Sequence, residues 1–409
     1  MQIKPIKLTS KSKKIVDKTN RYVVKGTFTY PLVIKSGKSV FIQDVDNNWY
    51  LDFNSNVCSA NIGYNHPEIA KVLKEYCSSS AHKIAGQDFY SEEQMKMAEK
   101  LIKITPSNLT KVFLSNSGAE AMENSIKFAY RKKGPLSGIS CTGAFHGRTL
   151  GALTYTFSKP VQKKNYPELP HIRINFCTSD SDPKIDDIKD LLAKRKVAFV
   201  MTEIVQGEGG YNIASQKFIR NLRETTREYD VPLIIDEVQS GIGRTGKWWA
   251  FENYNIKPDI IGSAKSLQIG ATISSKEYDP NEAGAVSSTW GGGDRIDLAV
   301  GLKMIEVIEK EKLISKASKT GKYILSRLKE LENVYPDKVF NARGLGLMLA
   351  IDLQSTEIRD KVEERAFRNG LLLLGCGSKS IRIVPPLIIN EEEVDMGIRI
   401  LESAIKKIN

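Results

Sequence analysis

The sequence predicts an α/β fold in which a mostly parallel sheet is covered by helices. From about residue 60 to 300, short apolar runs alternate with helical stretches, the arrangement of repeated β-then-α units. The apolar runs at 197–201 and 231–235 are typical of strands buried on both faces. At 409 residues, with 41% hydrophobic and 26% charged residues, the chain is long enough for two or three domains.

The predicted elements begin with a β-hairpin. Residues 40–45 and 49–53 are strand-like and flank the turn residues Asp46, Asn47 and Asn48. In the middle of the chain, the strand at 111–114 leads through Gly118 into a helix. Apolar residues recur along that helix at helical spacing, at Met122, Ile126 and Ala129.

The chain after residue 300 is predicted to be mainly helical, with two strands at 345–353 and 381–384. Asn390 is a predicted N-cap with an acidic residue of a capping box behind it, and it opens a last helix that runs to Ile405. We therefore predict a large α/β domain at 60–299 and a smaller α+β domain built from 1–59 and 300–409.

Composition favours a cytoplasmic enzyme without a metal. The five cysteines are scattered and form no CxxC motif, and the four histidines have no metal-ligand spacing. No apolar run approaches the roughly 18 residues of a membrane helix, and the first twenty residues lack the apolar region of a secretory signal. The net charge is +12, but the basic residues are spread along the chain and mixed with acidic ones. This pattern favours a solvated surface of mixed charge over a nucleic-acid or membrane partner.

One glycine motif suggests a nucleotide site but lacks the context for it. Residues 241–246 match G-x-G-x-x-G, yet Asp236 to Ser240 separate them from the preceding strand. The same stretch resembles a phosphate-binding P-loop, but Trp248 stands where a hydroxyl would bind magnesium. We interpret it as a glycine-rich connection.

Three other segments together suit one cofactor. The residues Ser117, Gly118 and Ala119 open a helix after a strand, where free N–H groups suit a phosphate, although an ordinary capped helix looks the same. Asp236 ends a buried strand, and its partner there is a protonated pyridine ring, a helix terminus or an arginine. Lys265 follows another apolar run and either forms a Schiff base or lies at the surface.

These segments resemble the class III (ω-amino acid) aminotransferases, which use pyridoxal 5′-phosphate. The longest similar stretch runs from Leu233 to Gly246 and on to Ala264-Lys265-Ser266, and the resemblance extends from Asp44 to Leu387. It implies the fold type I of pyridoxal-phosphate enzymes. The sequence departs from the family pattern after Lys265 and after Trp290, which bears on the shape of the pocket.

The resemblance also implies roles for individual residues. Lys265 would hold the cofactor as a Schiff base and shuttle protons, and Asp236 would pair with the pyridine nitrogen. Ser117, Gly118 and Ala119 would bind the phosphate of the cofactor. Phe145 would stack on its ring, and Gln239 would contact its phenolic oxygen. Thr289 would reach the phosphate of a neighbouring subunit. The last contact implies a homodimer with shared active sites. His146 is interpreted as structural, and Glu203 as a neighbour of the cofactor site.

The substrate residues implied by the resemblance are Arg148, Arg382 and Glu208. Arg148 would bind a distal carboxylate and Arg382 an α-carboxylate, unless Arg382 is a strand arginine that points to solvent. Glu208 would pair with Arg382 until 2-oxoglutarate enters. The predicted reaction is transamination of 4-aminobutyrate with 2-oxoglutarate. Alternatives are lysine 6-, ornithine or acetylornithine aminotransferase, a racemase or aminomutase of the same fold, and a non-catalytic cofactor-binding or carrier-docking protein.

Overall fold

The chain divides into two compact units. The computed structural model describes residues 3–27, 30–79, 89–181, 186–194, 196–288 and 292–408. Met1–Pro67 with Lys316–Asn409 form one unit, and Glu68–Ser315 form the other. We refer to them as the terminal unit and the central unit. The domain limits at 59/60 and 299/300 stay a prediction.

Strands and helices alternate along most of the chain. The strands are β1 (Ile34–Lys38), β2 (Phe41–Asp44), β3 (Trp49–Asp52), β4 (Lys111–Ser115), β5 (Ser137–Cys141), β6 (His171–Ile174), β7 (Val197–Glu203), β8 (Val205–Gln206), β9 (Asn212–Ile213), β10 (Leu233–Asp236), β11 (Ile260–Ser263), β12 (Gly270–Ser274), β13 (Phe340–Leu345), β14 (Met348–Asp352), β15 (Leu371–Leu372), β16 (Leu374–Cys376) and β17 (Ser380–Ile383). The helices are α1 (Ser10–Tyr22), α2 (Ser55–Cys58), α3 (Pro67–Ser78), α4 (Glu92–Lys103), α5 (Gly118–Lys133), α6 (Leu150–Thr154), α7 (Asp186–Ala193), α8 (Gln216–Glu228), α9 (Arg295–Lys310), α10 (Leu313–Val334), α11 (Thr356–Arg368) and α12 (Glu391–Lys406). The short α2 has positive φ at all four residues and is a left-handed turn. Within the described residues, no helix has the length and apolarity needed to cross a membrane.

The central unit is built on a seven-stranded sheet in the order β4-β12-β11-β10-β7-β5-β6. Strand β10 is parallel to β7 and β11, and β5 is parallel to β6 and β7. Strand β12 is antiparallel to both of its neighbours, β11 and β4. The sheet is therefore mostly parallel, which confirms the predicted α/β class.

Burial of apolar side chains on both faces explains why these segments are strands. All seven residues of β7 and all four of β10 are buried, as the continuous apolar runs predict. Helix α5 covers the sheet with its apolar face, where Met122, Ile126 and Ala129 belong to one core cluster with Phe199. The helical spacing of these three residues is thus confirmed.

The terminal unit contains two four-stranded sheets, in the orders β1-β2-β3-β15 and β13-β14-β17-β16. The predicted hairpin is confirmed by antiparallel pairing of β2 with β3, in which Phe41 faces Leu51. The predicted last helix is also confirmed. Asn390 Oδ1 accepts the N–H of Glu393 at 2.9 Å, and the Glu393 carboxylate accepts the N–H of Asn390 at 3.0 Å, a reciprocal capping box.

Replacing Phe199 by Ala is expected to destabilise the central unit. Phe199 is fully buried and makes edge-on contacts with Tyr130 and Tyr155, at ring-centroid distances of 5.5 and 5.0 Å. Loss of its apolar area and the cavity that remains should lower the free energy of unfolding by about 3–5 kcal/mol. Urea titration checks this, with Val161→Ala, at a position 76% exposed, as control. Equal effects of the two substitutions would contradict the packing described here.

Glu237 is expected to make stability depend on pH. The side chain is fully buried, accepts the N–H of Phe251 at 3.0 Å and the hydroxyl of Ser240 at 2.6 Å, and burial raises its pKa from 4.5 to about 7. A folded-state pKa above the unfolded value stabilises the protein below about pH 4.5, and this contribution is lost as the pH rises to about 7.

We therefore expect Glu237→Gln to remove a pH-dependent loss of about 3 kcal/mol in unfolding free energy between pH 4.5 and 7.5. Urea melts of wild type and variant across this pH range give the difference. Glu224→Gln, at an exposed position of α8, serves as the matched control. Parallel pH curves for wild type and Glu237→Gln would sink the idea.

Candidate active site

Several functional side chains meet where the strands of the central sheet end. Strands β7, β10 and β11 run parallel, and their register places Asp236 beside Glu203 on one side and Gly262 on the other. Lys265 follows the end of β11, and Ser115, the last residue of β4, precedes α5. Ligands of open α/β sheets bind at this edge, because the chain there leaves the strands in loops.

The loops at this edge enclose a cavity of about 330 Å³. It collects Lys265, Asp236 and most of the other residues predicted from the sequence. Its lining consists of Gly118, Ala119, Phe145, His146, Gly147, Arg148, Glu203, Gly207, Glu208, Asp236, Val238, Gln239 and Lys265. Ser117 lies one residue before this lining, Arg382 belongs to the terminal unit, and Thr289 is outside the described residues.

The start of α5 forms one wall of the cavity. Ser117 is the N-cap, and its hydroxyl accepts the N–H of Glu120 at 3.2 Å. The first intrahelical bond is made by Ala121, so the N–H groups of Gly118 and Ala119 precede the helical hydrogen-bond ladder. A Cβ at Gly118 would lie 2.6 Å from Val238 Cγ1, so only glycine fits there. These N–H groups and the helix dipole suit an anion such as a phosphate.

Asp236 is held by a histidine that the sequence analysis left structural. His146 Nδ1 lies 2.8 Å from Asp236 Oδ2, and Asp236 Oδ1 accepts the N–H of Val238 at 2.9 Å. Asp236 is 5% and His146 2% exposed. Because a carboxylate only accepts, the imidazole donates through Nδ1. The position of His146 directly after Phe145 was the one available sign of this contact.

Gln239 lines the cavity with an amide whose hydrogen bonds are incomplete. Its Oε1 is buried and has no hydrogen-bond partner among the described residues. Buried polar atoms are nearly always paired in folded proteins, so a group that binds in the cavity would satisfy this amide. Pyridoxal phosphate fits these residues, because Asp236 would accept a hydrogen bond from the protonated ring nitrogen and Gln239 Oε1 would accept one from the phenolic O–H.

Glu203 ties together two loops of the cavity. Its Oε2 accepts the N–H of Phe145 at 3.1 Å, and its Oε1 accepts the N–H of Gly207 at 2.8 Å. Burial, and next the charge of Asp236, raise the pKa of Glu203 well above its usual value. The guanidinium of Arg148 stands 5.9 Å from the centroid of the Phe145 ring. Glu203 thus fixes the loop that carries the predicted stacking ring.

Lys265 occupies a strained backbone position. It has a φ of +50°, in the left-handed region that non-glycine residues seldom adopt, and it begins the 3-10 helix Lys265–Leu267. Such strain persists where the surrounding structure imposes it, often at functional sites. Here the two flanking strands, β11 and β12, pair with each other and hold the connection.

Arg382 is a buried residue of the terminal unit. It lies on β17, is 1% exposed, and its Nη2 donates to the Gly375 carbonyl at 2.9 Å. The alternative of a strand arginine that points to solvent is therefore wrong. A buried guanidinium needs polar or anionic partners, which agrees with a carboxylate-binding role.

The side chains of the site can also be compared with those that bind metal ions. In the described part of the chain, no three His, Cys, Asp or Glu side chains converge in a way that could hold a metal ion. The cavity instead combines a helix N-terminus, a buried carboxylate and a lysine amine. This set suits an organic phosphate whose ring nitrogen carries a proton.

Comparison with known proteins gives a consistent family. The family model described as aminotransferase class-III matches residues 22–405. The chain is similar to an acetylornithine aminotransferase of Archaeoglobus fulgidus, with 33% identity over 94% of this chain and 99% of the relative. It is similar to an alanine/serine racemase of Pyrococcus horikoshii, with 33% identity over 93% of this chain and 87% of the relative.

Solved structures agree. The lysine aminotransferase from M. tuberculosis in the internal aldimine form superimposes with a TM-score of 0.89 at 27% identity, over 97% of this chain and 99% of that one. This similarity confirms the fold type I predicted from the resemblance. The chain therefore belongs to the class-III aminotransferases, enzymes that depend on pyridoxal 5′-phosphate.

Proposed function

We propose that this protein transfers the ω-amino group of an amino acid such as N-acetylornithine, ornithine or lysine to a 2-oxo acid. The observation that carries the proposal is the similarity, at 31–35% identity and almost full length, to proteins named acetylornithine aminotransferase. The likeness to the lysine aminotransferase structure supports the same donor class. These relatives favour the alternatives given by the sequence over 4-aminobutyrate as donor.

The residues at the sheet edge would orient the cofactor. We infer that Ser117, Gly118 and Ala119 bind its phosphate, that Phe145 stacks on its ring, and that Gln239 contacts its phenolic oxygen. Asp236, oriented by His146, would keep the ring nitrogen protonated. When bound, pyridoxal phosphate supplies an electron sink for the carbon that loses a proton.

Lys265 would both retain the cofactor and move protons. Its amine lies at the cavity and is half-buried. The same amine, when free, would accept the proton that the donor carbon loses and return it to the product. Asp236 would accept a hydrogen bond from the protonated ring nitrogen, which would favour proton loss from the donor.

The charged residues at the cavity would sort the two substrates. An ω-amine donor has no carboxylate beside its reacting carbon, whereas a 2-oxo acid does. We infer that Arg148, which lines the cavity, binds the distal carboxylate. An α-carboxylate role for Arg382, and its compensation by Glu208, stay what the resemblance implies. The exposed position of Arg148 suits a group that enters from solvent.

A second candidate function is racemisation of an amino acid. The alanine/serine racemase relative supports it, because the similarity covers 93% of this chain at 33% identity. A racemase returns the proton to the same carbon and needs no 2-oxo acid. Dependence of turnover on 2-oxoglutarate therefore separates the two functions.

We expect the visible absorption band of the lysine-bound cofactor to disappear with one of N-acetylornithine, ornithine, lysine and 4-aminobutyrate, and to return with 2-oxoglutarate. Lys265→Ala should lose at least about 10³-fold in turnover, because the proton-transfer group is removed. The control is Lys276→Ala, at an exposed position. A band that no donor changes, while alanine or serine is racemised, would reverse the assignment.

We further propose a homodimer. Phe89, Tyr90 and Met95 are exposed by 76%, 107% and 54%, unusual values for large apolar side chains. Tyr90 and Met95 line a groove of about 910 Å³ together with Ser287 and Ser288, the residues before Thr289. A second copy that covers this groove would bury these apolar side chains, and the resemblance implies a homodimer with shared active sites.

Tyr90→Asp is expected to shift the protein from dimer to monomer, because it places a charge in the apolar groove. Sedimentation velocity at equal concentrations measures the change. Val334→Asp, at a position 63% exposed in the terminal unit, should leave the dimer intact. A monomeric wild-type protein, or equal dissociation of both variants, would refute the proposed interface.

A further inference from the structure

A groove rich in positive charge lies beside the active-site cavity. It has a volume of about 490 Å³, and all the residues that line it belong to the central unit. These residues are Phe157, Lys159, Pro160, Lys163, Lys164, Glu168, His171 and Arg173, and we call the groove they form the Phe157 groove. Among these described lining residues, four are lysine or arginine and one is an acid. The groove therefore attracts anions.

Two of the four cations have an acidic partner, and two do not. Glu168 lies 3.2 Å from Lys163, and Lys159 lies 3.7 Å from a glutamate of the cavity. In the part of the chain that the structure describes, Lys164 and Arg173 form no ion pair, and both are exposed. Two positive charges of the groove thus stay uncompensated by an acid.

The ring of Phe157 keeps these cations together. Lys163 Nζ lies 4.2 Å and Arg173 Cζ 5.5 Å from its centroid. The ring of His171 packs against it at a centroid distance of 5.6 Å. An aromatic face attracts a cation without cancelling its charge. Phe157 therefore gathers positive charge in the groove, whereas a carboxylate in its place would neutralise that charge.

Two contacts place the Phe157 groove within electrostatic range of the cavity. Lys159 Nζ is the atom 3.7 Å from Glu208 Oε2, and the N–H of Phe157 donates to the Ala144 carbonyl at 2.7 Å, next to Phe145. Both Glu208 and Phe145 line the cavity. The Debye length is about 10 Å at 0.1 M salt, so the groove charges act on an anion that approaches the cavity.

The substrates of the proposed transamination differ in charge. 2-Oxoglutarate carries two carboxylates and is a dianion at neutral pH. N-Acetylornithine carries one ammonium and one carboxylate and has no net charge, and ornithine and lysine are net positive. A positive surface beside the cavity therefore concentrates the acceptor and leaves the donor unaffected or repels it.

We propose that the Phe157 groove, with Lys164 and Arg173 as its uncompensated charges, collects a dicarboxylic 2-oxo acid and raises the rate at which it enters the cavity. The inference rests on the proposed function, which uses a 2-oxo acid as acceptor. Lys164 and Arg173 are thus specificity-determining residues that act at a distance from the reacting atoms. They favour a dianionic acceptor over a monoanionic one such as pyruvate.

The effect should depend on salt and on the charge of the substrate. Replacing both Lys164 and Arg173 by Met should lower kcat/KM for 2-oxoglutarate about three- to tenfold at low salt, and should lower that for pyruvate by less. At about 1 M salt the Debye length is only about 3 Å, so the difference should disappear. The value for N-acetylornithine should stay unchanged at both salt concentrations. A structural disturbance would persist in high salt and affect the donor as well.

The test measures the two half-reactions separately by absorbance for wild type and for Lys164→Met/Arg173→Met. Lys164→Arg/Arg173→Lys keeps both charges and should behave as wild type. The matched control is Lys127→Met/Lys276→Met, which removes two positive charges from exposed positions of the central unit outside the groove and the cavity. Stopped-flow binding of maleate, a dicarboxylate without an oxo group, gives the association rate without turnover. Maleate should associate with the Lys164→Met/Arg173→Met protein about three- to tenfold more slowly at low salt.

The outcomes separate this inference from the proposed function. An equal fall in the matched control, a fall that persists at high salt, or unchanged rates in Lys164→Met/Arg173→Met beside an active wild type overturns this inference alone. A wild-type protein that reacts with no ω-amine donor overturns the proposed function. Maleate association, which needs no turnover, then still decides whether the groove collects dicarboxylates.

Discussion

Two carboxylates buried side by side at the end of a sheet are the constraint on which the rest of the site depends. Asp236 and Glu203 are register partners on adjacent parallel strands, so their charges repel in a poorly solvated place. Each is therefore surrounded by donors: an imidazole and one backbone N–H for Asp236, two backbone N–H groups for Glu203. The loops of the cavity take the course that supplies these donors.

The acids of the cavity differ in mobility according to their burial. Asp236 and Glu203 are 5% and 6% exposed and accept hydrogen bonds on both oxygens, so they are fixed parts of the frame. The side chain of Glu208 is 20% exposed and meets a lysine that is itself half in solvent. Glu208 is therefore the most solvated of these three acids.

Much of this arrangement could be predicted from the sequence because it follows local patterns. Gly118, Asp236 and Lys265 each stand just after an apolar run, and the strand ends of a parallel sheet meet at one edge. The contact of His146 with Asp236 spans 90 residues and depends on the path of a loop, which no local pattern encodes. The same holds for Glu203, whose partners are backbone groups, and for the reversed direction of β12. The identity of the amino donor could not be predicted either, because it depends on side chains around the cavity and not on the motifs that define the family.

The antiparallel strand β12 also determines how early the site can form while the chain is being synthesised. Strand β4, which leads directly into the phosphate-binding turn at Ser117, pairs with β12 and not with any strand made soon after it. The edge of the sheet at residues 111–115 is therefore complete only after residues 270–274 have left the ribosome and paired with it. A nascent chain that ends before β12 has a lysine at 265 but no finished cradle for the phosphate. At least the first 274 of the 409 residues must therefore be translated before the phosphate-binding edge of the sheet is complete.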